Sequence, residues 1–224
     1  MLNYEDITMI IPYLGETDEQ QFALKCCLQS LVDTAPELKI VIAANGYARH
    51  NRSFGSLPRI ANQFARIILS EQGQCKAVNA AVATTKTKWI MVSNDDMVYS
   101  KHWFPNLIKN MDNYLCVSPK LIEPKPGAPT FQVYFCGGAG GDFDYTKWRD
   151  FVKDYQGEGW RTGFNLPYLI RRDLWNTIGG YDIEYDPWSS NSDSDLEYKI
   201  RLTGIQPMQN TDSIVYHFSQ TSGT

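Results

Sequence analysis

Long apolar runs are scarce in this 224-residue sequence. The first, over residues 7–13, has the length of a strand, and nothing approaches the roughly 20 residues that cross a bilayer as a helix, so no integral membrane segment is expected. The opening MLNYEDITMIIPYLGE places acidic residues ahead of its apolar positions and lacks the basic flank of a secretory signal. Cysteines number five (Cys26, Cys27, Cys75, Cys116, Cys136), an odd count with no disulfide framework and no zinc spacing. Both absences point to a reducing, cytoplasmic setting. Excess positive charge is also missing. The 21 Lys and Arg against 25 Asp and Glu give a net charge of -4, which excludes a global footprint for a nucleic acid polymer or an anionic membrane. Any phosphate must be met locally. No Gly-x-Gly-x-x-Gly follows the first apolar run, no Gly-x-x-x-x-Gly-Lys-Ser/Thr occurs, and no Gly-x-Ser-x-Gly elbow is present, which removes dehydrogenase, P-loop and esterase readings.

Core material is plentiful, with 43% hydrophobic residues including 13 Tyr, 10 Phe and 6 Trp, and no long linker or internal repeat divides the chain. One domain over residues 1–224 is expected. Its first half alternates buried-strand runs with helical periods, the pattern of a parallel α/β sheet. Strands are predicted at 7–13, 38–44, 66–69 and 88–93. Helices are predicted from a Thr17/Gln20 capping box to about Val32, and over 75–84. Beyond residue 100 the pattern loosens to a Ser100-capped helix through about Met111, strands at 115–118 and 130–136, and a glycine-rich loop over 137–141. Consecutive strands with helical crossovers form an open, doubly wound sheet that binds ligands at the carboxyl ends of its strands.

The fourth strand ends in Ser93-Asn94-Asp95-Asp96, which puts two carboxylates at that edge. Hard oxygen ligands there suit Mg²⁺ or Mn²⁺ bridging a diphosphate, and the same residues also make an ordinary turn. A second acidic segment, Asn191-Ser192-Asp193-Ser194-Asp195, precedes a helical stretch. It reads as a helix cap, as a calcium loop lacking its glycine and terminal Glu, or as a general base. His217 in IVYHF reads as a satisfied structural residue or as a ligand.

Taken in order, these segments resemble the family-two glycosyltransferases, inverting nucleotide-sugar enzymes of the GT-A fold, over nearly the whole chain. MIIPYLGE is similar to that family's first strand and turn, and IAANG to its Asp-Asp-Gly segment. EQGQCKAVNAAVATTKTKWIMVSNDDM is similar to its Gly to Ala-x-Asn helix and metal motif. LIRRDLWNTIGGYDIEYDPWSSNSDSDLEYKIRLTG is similar to its Arg-Arg, Gly-Gly-Phe-Asp and Glu-Asp-x-Asp-Leu series. Three positions depart: Ser93 stands for the first metal-motif Asp, Asn45 for the base-reading Asp, and Ser192 for the Glu before Asp193.

The resemblance implies an open, doubly wound, mostly parallel sheet flanked by helices, with a nucleotide-binding half over residues 1–100 and a smaller mixed α/β acceptor-binding half over 101–224. It implies Asp193 as catalytic base, Asp95 and His217 as ligands of Mn²⁺ or Mg²⁺, and Asp96 as a spare carboxylate. Pro12, Tyr13, Asn45, Lys76, Asn79, Asn94 and Asp95 fall on nucleotide-sugar positions, with Lys76 beside the usual basic site at Gln74. The expected partners are a nucleotide-diphosphate sugar and a sugar or glycan acceptor, used in polysaccharide or glycan assembly. The Gln-x-x-Arg-Trp signature of processive synthases is missing, so a single transfer is expected. Trp160, Tyr181 and Trp188 offer flat faces for sugar rings. Ser93 and Ser192 favour an alternative, a non-catalytic binding module of the same fold.

Overall fold

The apolar run at the start of the chain forms β1 (Ile7–Tyr13), buried at all seven positions in the computed structural model, which describes residues 2–46, 59–111, 113–125, 132–187 and 191–219. A strand covered on both faces carries such a run without alternation. β2 (Lys39–Ala44) pairs parallel with β1, and β3 (Ala65–Leu69) pairs parallel with β2. β4 (Trp89–Val92) returns to the other side of β1, again parallel. The order β3-β2-β1-β4 therefore reverses at the boundary between β1 and β4, where a crevice opens beyond the carboxyl ends. Between these strands lie α1 (Asp18–Thr34), α2 (Arg59–Phe64) and α3 (Gln74–Ala83). The expected capping box starts α1: Thr17 Oγ1 accepts from the Gln20 N–H at 3.2 Å, and Gln20 Oε1 accepts from the Thr17 N–H at 3.3 Å.

The second half extends the same ten-stranded sheet as β4-β9-β6-β10-β5, with β7 on β6 and β8 on β10. Its strands are β5 (Met97–Tyr99), β6 (Cys116–Glu123), β7 (Gln132–Val133), β8 (Trp160–Thr162), β9 (Tyr168–Arg171) and β10 (Met208–His217). β9 runs antiparallel to both β4 and β6, so the sheet is parallel on one side and mixed on the other. Helices α4 (Trp103–Ile108), α5 (Tyr145–Asp154), α6 (Arg172–Ile178) and α7 (Ser192–Leu202) flank it. Arg172 ties the halves together. Its guanidinium donates to the Thr87 carbonyl at 2.5 Å and to Thr85 Oγ1 at 2.6 Å, beside the carboxyl end of α3, where a cation opposes the helix dipole.

Several expected boundaries shift. Ser100 does not cap a helix to Met111; it follows β5, and α4 starts later from His102 and is over before Asn110, which has a positive φ of 59°. β6 continues five residues past Ser118 and through Pro119, whose missing N–H coincides with a register break in β10 between Asn210 and Ile214. The Asn165 and Gln209 side-chain amides donate to the Pro119 carbonyl there at 3.0 and 3.2 Å. Of the strand expected over 130–136, only Gln132–Val133 pairs, while residues 130 and 131 lie outside the described residues. The core centres on β1, β2 and β4 against α1 and α3, with Trp103, Tyr168 and Leu24 fully enclosed. Each large apolar side chain so buried stabilises the fold by about 1.5–3 kcal/mol. A smaller cluster of Phe143, Trp148, Tyr216 and Phe218 lies by α5.

Candidate active site

At the reversal point, the Ser93 N–H leaves β4 by donating to the Ile10 carbonyl at 2.9 Å. The Ser93 side chain turns inward, fully buried, with its oxygen 2.6 Å from the Tyr99 hydroxyl. This explains the departure at Ser93, because a carboxylate in that hydroxyl network would be buried without a counterion. Asp95 and Asp96 follow on the turn. Desolvation, and then the charge of Asp96, raise the Asp95 carboxyl well above the ordinary range, against a pull downward from His217.

Asp96 is not a spare. It is 3% exposed, and its Oδ2 lies 3.2 Å from His217 Nε2, while Glu123 Oε1 lies 2.7 Å from His217 Nδ1. The pairing of β10 with β5, His217 opposite Met97, brings the ring to the Asp96 turn, and β6 delivers Glu123 at its end. Burial opposes a charged imidazole, yet Asp96 and Glu123 carry its pKa up to about 10. In this structure both ring nitrogens of His217 face carboxylates, Nε2 toward Asp96 and Nδ1 toward Glu123.

Asp193 opens α7. The calcium-loop reading does not describe this segment, because the helix begins at Ser192; the segment is the helix start, with Asn191 at the cap position at a φ of 66° and Asp193 and Asp195 in the first turn, where the helix dipole favours carboxylates. The Tyr181 hydroxyl donates to Asp193 Oδ1 at 2.6 Å. Burial pushes the Asp193 carboxyl up and that hydrogen bond holds it down. Asp195 is committed elsewhere, 3.0 Å from Lys199 Nζ. A cavity of about 230 Å³ lies between α7 and the strand ends, with Asn94, Glu123, Asp193, Glu197 and His217 on its polar wall and Met97, Leu121, Phe164 and Leu166 on its apolar wall. A larger open groove of about 820 Å³ sits at the opposite, amino ends of the strands, around Lys39, Arg66 and Lys88, away from every acid and base named above.

Asn94, Asp193 and His217 thus share one cavity, and the other expected residues lie apart from it. Pro12 is buried in β1, and Tyr13 is 1% exposed beneath Gly15, with no face open to a nucleotide. Asn45 Oδ1 accepts from the Gly73 N–H at 2.6 Å, joining the end of β2 to the start of α3. The Lys76 and Cys75 N–H groups donate to the Asp186 carboxylate at 3.0 Å, an N-terminal clamp on α3 that lies too far along the chain to be read from sequence. Asn79 has both amide groups on the Tyr181 backbone. Trp160 packs on Tyr114 and Tyr181 is buried, so neither offers a sugar platform, and Trp188 lies outside the described residues. Phe164 is the aromatic residue at the cavity wall.

Among the described residues no three His, Cys, Asp or Glu side chains converge as a metal cage. A cation shared with a diphosphate does not need one, since Mg²⁺-like ions take one or two carboxylates plus substrate phosphates. Asp95 fits that use. Burial, and then the adjacent Asp96 charge, disfavour its anionic form, and a divalent ion held there would offset both.

Residues 8–127 match the model of a family described as Glycosyl transferase family 2. No curated protein matches the chain in sequence. A crystal structure of GalNAc-T7 with UDP, GalNAc and Mn²⁺ superposes at a TM-score of 0.63 with 14% identity, over 94% of this chain and 43% of that one. A mannosyltransferase from Pyrobaculum calidifontis, PcManGT, in complex with GDP-Man and Mn²⁺, superposes at 0.63 with 16% identity, over 97% of this chain and 58% of that one. The chain therefore spans about half the length of these proteins. The mixed sheet with flanking helices is the GT-A fold that these structures share, and the chain belongs to glycosyl transferase family 2.

Proposed function

We propose that the chain transfers one sugar from a nucleotide-diphosphate sugar to an acceptor hydroxyl, inverting the anomeric centre, with Asp193 as base. The observation that carries this reading is a carboxylate at the wall of the cavity beside the reversal point, with one oxygen held by Tyr181 and the other without a hydrogen bond to a side chain among the described residues. In the transfer, the acceptor oxygen bonds to the anomeric carbon as the bond from that carbon to the phosphate oxygen breaks. The electron pair leaves with the diphosphate, and the hydroxyl proton passes to Asp193. Attack from the side opposite the leaving group inverts the centre. Asp95 would hold Mn²⁺ or Mg²⁺, which when bound neutralises charge developing on the leaving phosphates. The Mn²⁺ and the UDP or GDP ligands of the two similar structures support that assignment. Asn94 contributes an amide to the same cavity wall.

A single unit over residues 1–224, acting in glycan or polysaccharide assembly in the cytoplasm, is the setting we infer. No helix among the described residues is long and apolar enough to cross a membrane. The direct test is release of nucleoside diphosphate from a panel of nucleotide sugars with Mn²⁺ or Mg²⁺, with and without sugar acceptors. Acceptor-stimulated release supports transfer. Donor binding with no release under any of these conditions would instead assign the chain to the binding-module reading.

A further inference from the structure

We propose that Tyr181 is the positioning residue of Asp193: its hydroxyl fixes Oδ1 and leaves Oδ2 to take the acceptor's proton, with Asn79 holding Tyr181 in place. This rests on the reading of Asp193 as base. Tyr181 is 3% exposed and packs edge-on to Trp175 at 5.8 Å, so its ring has one orientation. Its backbone is held from α3 at both polar atoms, because Asn79 Nδ2 donates to the Tyr181 carbonyl at 2.8 Å and Asn79 Oδ1 accepts from its N–H at 3.0 Å. A two-point clamp fixes direction as well as place.

The preceding residue tightens the same loop. Gly180 has a φ of 70°, and a Cβ there would meet Asn79 Oδ1 at 2.7 Å and the Trp175 ring at 2.8 Å, so only glycine permits this approach to α3. From the other side, Lys199 Nζ on α7 donates to the Gly180 carbonyl at 2.7 Å while pairing with Asp195. The loop is therefore clamped between α3 and the helix that carries Asp193, and the phenol spans the remaining gap to Oδ1 at 2.6 Å.

A carboxylate in the first turn of a helix otherwise rotates about two torsions, and the phenol removes that freedom. It also favours the charged form of Asp193 against burial, since a donor to a carboxylate stabilises the anion. The groups facing Asp193 are Tyr168 on β9 and Tyr181, with Glu197 on its own helix, Glu123 on β6 and His217 on β10 around the cavity. Burial and the Asp193 charge push both phenols well up, so Tyr181 keeps the proton it donates.

The experiment uses the full chain with Tyr181→Phe, Asn79→Ala and Asp193→Asn, measuring acceptor-dependent transfer from pH 5 to 9, donor KM and thermal unfolding. Tyr181→Phe keeps the ring packing and is expected to lower kcat about tenfold on the acid side, with donor KM unchanged and the acid limb moved up by about one pH unit. Asn79→Ala is expected to move the limb in the same direction even if it also lowers the melting temperature. In Asp193→Asn, adding Tyr181→Phe should cost nothing more. If Asp193→Asn is inert while both other variants keep the wild-type kcat and pH limb, the base reading stands and the role of Tyr181 is overturned. A shift in melting temperature alone overturns it equally. If Asp193→Asn transfers normally, the base reading fails and this inference falls with it.

Discussion

Replacing His217 with Gln removes the positive charge between two carboxylates that the fold has taken out of water. Asp96 is buried, Glu123 is 4% exposed, and their oxygens lie 3.2 and 2.7 Å from the two ring nitrogens. Breaking a buried ion pair by deleting one partner costs about 3–5 kcal/mol, and a Gln amide that still donates to one carboxylate puts the expected loss near ~3 kcal/mol. For a domain of this size each kcal/mol moves the melting temperature by about 2–4 °C, so thermal unfolding without metal should fall by roughly 6–12 °C. The gap should depend on pH. With a folded pKa of about 10 against an ordinary 6.5, the His217 contribution is complete below 6.5 and is lost as pH climbs toward 10. Wild type and His217→Gln should therefore converge in stability between those values. Glu123→Gln in the His217→Gln background should cost less than in the wild type, because the repulsion it relieves exists only there. If His217→Gln melts like the wild type in the absence of metal and loses only Mn²⁺-stimulated turnover, the histidine is a metal ligand and the carboxylate-imidazolium-carboxylate arrangement is wrong.

Two further substitutions probe the nucleotide edge. Gly73→Ala forces a side chain onto a residue at a φ of 134° and into the Asp186 carboxylate, so strain of about 1–3 kcal/mol plus a weakened cap on α3 of about 0.5–2 kcal/mol should lower the melting temperature by roughly 3–20 °C; an unchanged value would refute the Asp186 clamp. Asp95→Ala should abolish metal-stimulated donor turnover while melting at or slightly above the wild-type temperature without metal, since it removes a carboxylate crowded against Asp96; unchanged turnover would remove Asp95 from the cation site.

The parts of the fold legible in the sequence were those set by local patterns. β1, β2 and β4 are continuous apolar runs because they are covered on both faces, and α1 starts where its capping box says. β8 and β9 were not legible, being three and four residues long and held by partners elsewhere in the sheet. β6 ran through a proline because its neighbour bulges there, a compensation no local pattern records.

The site divides in the same way. Asn94, Asp193 and His217 reach one cavity. What each does there depends on distant contacts. Asp96 was set aside because adjacent acids look interchangeable, yet the β5–β10 pairing gives it His217. Asn79 carries the amide of a ligand-binding position but directs it to Tyr181, 102 residues away. Tyr181 itself looked like an apolar face, and only the fold shows that its hydroxyl matters.

The central claim is that Asp193 takes the acceptor's proton, and the most direct measurement is single-turnover transfer by Asp193→Asn with donor affinity measured separately on the same preparation. Loss of transfer by at least ~100-fold, the lower end of general-base contributions, with donor affinity unchanged is the expected result. Transfer within a few-fold of the wild type, at any pH where the wild type is active, would contradict it.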